Sequence, residues 1–130
     1  MKRKTYLGLL TAWVGLTILL TSIPGSDLPD IMVPGADKLA HLGFYGVMGF
    51  LCALWRREAG TGRAAAVVQG LAFAVVVGAF DEGHQVWIPD RFPDALDWLA
   101  DAVGGGLGAA LSAVAPGLFP FLVTGDRMTE

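Results

Sequence analysis

The sequence predicts an all-α protein, a four-helix transmembrane bundle with both termini cytoplasmic. Three observations lead there. Of the 130 residues, 54% are hydrophobic and only 16% charged, with a mean hydropathy of +0.56, whereas soluble domains carry about 25% charge. Four apolar runs approach the roughly 20 residues needed to cross a bilayer core as helix. The basic residues also fall on alternate sides of those runs. Helices are preferred to strands because an open sheet leaves backbone groups unpaired in lipid.

The first span runs over 6–23 and stops at Pro24-Gly25. Its basic start and apolar core also fit a cleaved signal peptide, but no A-x-A-like site follows and the run is long for such a segment. A retained span is therefore expected. The second covers 38–55 and ends at Arg56-Arg57, and the third covers 64–80 and ends at Asp81-Glu82. The fourth covers 97–115 and ends at Pro116-Gly117. The last two are rich in Ala and Gly, which suits them to the bundle interior. Pro116 to Val123 is too short to cross and is expected along the inner interface or capping the bundle, and 124–130 reads as a frayed tail. Residues 1–130 make one membrane domain.

Lys2, Arg3, Lys4, Arg56, Arg57, Arg63 and Arg127 all fall on one side of this topology, leaving only Lys38 and Arg91 opposite them. Cytoplasmic loops carry the excess of Lys and Arg, so that side is expected inside. The external loops are then about 24–37 and 81–96. Trp13, Trp55, Trp87 and Trp98 include several candidate interface anchors near span ends. The lone Cys52 lies in an apolar run and reads as a packing residue. No basic stripe with interleaved aromatics is present, which excludes a nucleic-acid partner. Four spans without a broken helix also disfavour a secondary transporter.

The polar residues gather at the external end. Asp37, Lys38 and His41 open the second span, and Asp81, Glu82 and Gln85 close the third. Arg91 and Asp94 lie in the loop, and Asp97 and Asp101 open the fourth span. Asp37, His41 and Tyr45 step by four and share one helix face. Asp94, Asp97 and Asp101 continue into Gly104 and Gly108, whose G-x-x-x-G spacing lets another backbone approach. That approach would bring the acids against His41.

Two readings compete for this cluster. In one it is a plug of ion pairs and hydrogen bonds that sets helix register, with Lys38 and Arg91 neutralising two acids. In the other it is a working site for a polar substrate group, with Glu82 and His41 as general acid and base. Asp97 and Asp101 would then be ligands for a divalent cation. Asp37, Lys38, Tyr45, Gln85, Arg91 and Asp94 would contact the substrate, the bases suiting phosphate or carboxylate. Six acids against two bases leave a negative surplus that a plug would not want. His84, Asp27 and Asp30 read as surface or solvated loop residues, and Gln69 as an interhelical hydrogen-bonding group.

The segments D-K-L-A-H-L-G-F-Y (Asp37 to Tyr45) and D-E-G-H-Q-V-W-I-P-D-R-F-P-D-A-L-D-W-L-A-D-A-V-G (Asp81 to Gly104) resemble the VanZ-like family of small bacterial membrane proteins. The resemblance spans about residues 6 to 115. Two positions depart from the family pattern. Asp90 stands where a Gly usually precedes the Arg, in a turn that favours positive φ, and Asp101 stands where many members have Asn. The resemblance implies a bacterial plasma-membrane protein of the cell envelope. It further implies an amphiphilic partner, either a membrane lipid, a lipid-linked precursor or a lipoglycopeptide such as teicoplanin, with a role like glycopeptide resistance by analogy. An intramembrane hydrolase or transferase of lipid head groups is the alternative.

Overall fold

The computed structural model describes residues 2–28, 34–118 and 120–123. Asp30 and the 124–130 tail with Arg127, both assigned above, lie outside the described residues. The helices are α1 (Lys2–Thr21), α2 (Ala36–Glu58), α3 (Arg63–Gln85) and α4 (Ala95–Leu118). Short 3-10 turns follow at Gly25–Asp27 and Pro120–Leu122. No strand occurs among the described residues. All four helices are long and apolar enough to cross a membrane.

The helices reach beyond the apolar runs. The third continues past Phe80 through Asp81 and Glu82 to Gln85, and all three polar side chains are buried. Asp81 and Glu82 have hydrogen-bond partners on other elements and Gln85 bonds Glu82, which offsets the cost of burial that would otherwise end the span there. The fourth does not stop at Pro116-Gly117 but reaches Leu118.

α2 and α4 make the closest pair and run parallel: His41 meets Asp101, Gly46 meets Gly108, and Arg57 donates to the Ser112 carbonyl at 2.6 Å. Glycine makes this possible. A Cβ on Gly108 would collide with the carbonyl oxygen of Gly46, and one on Gly104 with that of Leu42. Without an aqueous hydrophobic drive between helices in lipid, such backbone contact is the principal source of association. α3 packs across both, while α1 leans chiefly on α2. There Trp13 stacks on Phe44 with ring centroids 5.2 Å apart and donates to its carbonyl at 2.8 Å. Trp13 is thus a helix–helix packing residue in the middle of α1.

The outer surface is apolar. Leu19, Phe80, Trp87 and Phe92 are each at least 70% exposed, an extent of bare hydrocarbon that suits contact with lipid. Cys52 is buried in the core around Tyr45 and Met48, as a packing residue should be. Gln69 accepts a hydrogen bond from Arg56 across α2 and α3. At the same end Lys2 and Tyr6 donate to the carbonyls of Phe121 and Leu122, bringing the start of α1 to the turn after α4.

Candidate functional site

The opposite end carries the polar groups. Its floor is Asp81, fully buried, which accepts from Thr21 at 2.5 Å and from Tyr45 at 3.2 Å and so ties α1, α2 and α3 together. Hydrogen bonds to a charged acceptor are worth about 1.5–3 kcal/mol each. Above it, Nδ1 of His41 lies 2.8 Å from Oδ1 of Asp101. The other oxygen of Asp101 is buried and has no hydrogen-bond partner among the described residues. It occupies a space that only glycine leaves open, since a Cβ on Gly78 would come within 2.7 Å of it.

Glu82 is held from two sides. Its Oε1 accepts from the Gln85 amide at 3.2 Å and its Oε2 from the backbone N–H of Asp94 at 2.7 Å. Lys38 sits among three carboxylates, 2.9 Å from Asp97, 3.0 Å from Asp94 and 3.1 Å from Asp37. Its ammonium is therefore engaged by side chains of the protein. Asp94 also caps α4, its Oδ1 accepting from the Leu96 N–H at 2.8 Å. That bond first, and the Lys38 ammonium second, hold the Asp94 carboxyl below its usual range.

The loop between α3 and α4 is fixed by an unusual residue. Asp90 takes φ 56°, a left-handed conformation, so the turn expected of a glycine is kept by an aspartate, one of the few side chains that visits this region. Pro89 then accepts from the Gly25 N–H at 3.0 Å, and Arg91 donates through Nε to the Ile23 carbonyl at 3.2 Å.

This docking of the loop on the end of α1 roofs a cavity of about 400 Å³, within the range of small-molecule sites. Asp37, His41, Tyr45 and Arg91 are among its polar lining residues, and Leu20, Ile23, Leu28 and Phe44 among its apolar ones. The single-face reading of Asp37, His41 and Tyr45 thus describes one cavity wall. Lys38, Glu82, Gln85, Asp94, Asp97 and Asp101 do not line it. They form a polar cluster next to His41, in which one ligand atom each from His41, Glu82 and Asp97 lie within 4.8 Å of one another. The acids expected to pair as cation ligands divide: Asp97 belongs to this group, while Asp101 is turned onto the histidine.

Sequence reasoning missed the contribution of α1. Thr17 and Thr21 line the cavity, and their i, i+4 spacing in an apolar run was the available signal. His84, read as a surface residue, is half-buried, with its Nδ1 unpartnered among the described residues.

Four apolar helices, a lipid-facing exterior and an ionisable cluster at one end define a multi-pass integral membrane protein. The VanZ/LLP1 family matches residues 6–116, and the chain belongs to that family. No curated protein and no solved structure matches it.

Proposed function

We propose that this protein is a bacterial plasma-membrane protein of the cell envelope that binds an amphiphile in the cavity between α1 and α2. The observation that carries the reading is the cavity's mixed lining. Arg91 and His41 are there for an anionic or hydrogen-bonding head group, and Leu20, Ile23, Leu28 and Phe44 are there for hydrocarbon. Arg suits a phosphate or carboxylate because its planar fork binds two oxygens at once. The ligand class is a phospholipid, a lipid-linked wall precursor or a lipoglycopeptide such as teicoplanin. A part in glycopeptide resistance would follow from the last of these.

The orientation belongs to the same proposal. Lys2, Arg3, Lys4, Arg56, Arg57 and Arg63 gather at the end opposite the cavity, and the positive-inside rule puts that end, with both termini, in the cytoplasm. The cavity then opens at the outer leaflet.

A second reading, an intramembrane hydrolase or transferase of lipid head groups, is favoured by one contact. His41 borders both the cavity and Glu82, so an acid–base pair stands beside a substrate-sized space.

The test is binding of phosphatidylglycerol and of teicoplanin to purified protein in nanodiscs. Arg91→Ala should weaken binding of the true ligand about tenfold, the loss of a charge-assisted contact. Unchanged affinity for both ligands in Arg91→Ala and in a cavity-filling Ala40→Phe would overturn the reading. Release of a head group by the wild type, abolished in Glu82→Gln, would establish the enzyme instead.

A further inference from the structure

We propose that His41, Glu82 and Asp97 form a binding site for one divalent transition-metal cation, and that Asp101 is the residue that positions the histidine for it. The inference goes beyond amphiphile binding and does not depend on it.

Three helices contribute one ligand each, and the three ligand atoms already lie within 4.8 Å of one another. Bonds of about 2.0–2.2 Å to nitrogen and carboxylate oxygen need only a small inward movement from that spacing. The groups are also held. Glu82 is fixed by Gln85 and by the backbone of Asp94, and each of its oxygens keeps a lone pair after accepting those bonds. Asp97 gives one oxygen to Lys38, which leaves the other for an ion.

Asp101 is the independent observation. It is fully buried, and its Oδ1 is aimed at Nδ1 of His41 at 2.8 Å. A carboxylate there accepts a hydrogen bond from the Nδ1–H, which fixes the tautomer and leaves the lone pair of Nε2 free for an ion. This carboxylate–histidine arrangement is how metal-ligating imidazoles are oriented. Oδ2 of Asp101 lies buried beside Gly78 with no hydrogen-bond partner among the described residues, so the bond to His41 is the one its side chain makes there.

Charge balance points the same way. Asp81, Glu82 and Asp101 are buried, and Lys38 is already shared by Asp37, Asp94 and Asp97. Uncompensated carboxylates at membrane depth are costly, and a doubly charged ion supplies the missing countercharge. One imidazole with two carboxylates suits Zn²⁺ or Mn²⁺, whereas Ca²⁺ and Mg²⁺ take oxygen ligands throughout. Because His41 also lines the cavity, the open coordination positions of the ion would lie beside the polar wall.

The test uses the full chain in detergent, stripped with chelator and titrated with MnCl₂ in the absence of added lipid. Bound Mn²⁺ is read by electron paramagnetic resonance, and ZnCl₂ serves as competitor. One ion per chain is expected, with affinity reduced at least about tenfold in Glu82→Gln and in Asp97→Asn, while Asp27→Asn at the same end binds as the wild type does. Asp101→Asn should weaken binding about 10–100-fold, as loss of an outer-shell partner does, and alter the zero-field splitting of any signal that remains. Wild-type protein that retains no Mn²⁺ or Zn²⁺ above buffer overturns the site, however the variants fold. Equal binding in wild type, Glu82→Gln and Asp97→Asn overturns it as well. A normal affinity and spectrum in Asp101→Asn would remove the positioning role.

Discussion

Gly108 of α4 lies against the carbonyl oxygen of Gly46 in α2, with no room for even a methyl group between them. The two helices that carry His41 and Asp101 are therefore set at a separation that backbone atoms define. Gly108→Leu should separate them and lower stability by about 1–3 kcal/mol, the usual range for overpacking. Gly43→Ala, on the same α2 helix but with nothing within 4 Å of its added Cβ, should be neutral. Thermal unfolding in detergent, with an unchanged elution volume on gel filtration, compares them. Equal midpoints for the two variants would mean that the glycine contact does not hold the pair.

Asp90 offers a test of the loop that roofs the cavity. Its φ of 56° costs a side chain roughly 1–2 kcal/mol relative to glycine. Asp90→Gly should leave stability equal or higher. Asp90→Val, β-branched and unsuited to this conformation, should lower it by about 1–3 kcal/mol. A Val variant that melts with the wild type would show that the turn is free to adopt another shape.

Asp94 gives a dependence on pH. Its folded-state pKa is lowered by the Leu96 N–H and the Lys38 ammonium from an ordinary value of 3.8. The stability it contributes is thus fully present above that value and is lost as the pH falls through the lower folded-state value. Asp94→Asn keeps an acceptor for the cap but has no charge to titrate. The wild-type melting temperature should therefore fall more steeply than that of Asp94→Asn below about pH 4. Parallel curves would remove Asp94 from the acid response.

Much of this architecture could be read from residue order. The four spans were legible because hydropathy and the placement of Lys and Arg are local signals, and the stepping of Asp37, His41 and Tyr45 marked one wall of the cavity before any contact was known. The helix ends were less legible. Asp81 to Gln85 look like a loop by composition, and only Thr21 and Tyr45, distant in sequence, make Asp81 acceptable as buried helix. The division of the acids was hidden for the same reason. Which carboxylate meets Lys38 and which meets His41 depends on how α2 and α4 are offset along their axes, a relation between helices that no single segment encodes. Asp90 shows the reverse: the local rule for the turn held, although the residue was not the expected glycine.

The space at Gly78 is filled by a carboxylate rather than by another backbone. A methyl group at position 78 would therefore press on the same carboxylate that meets His41, so a change on α3 would be felt by a histidine on α2 that it never touches.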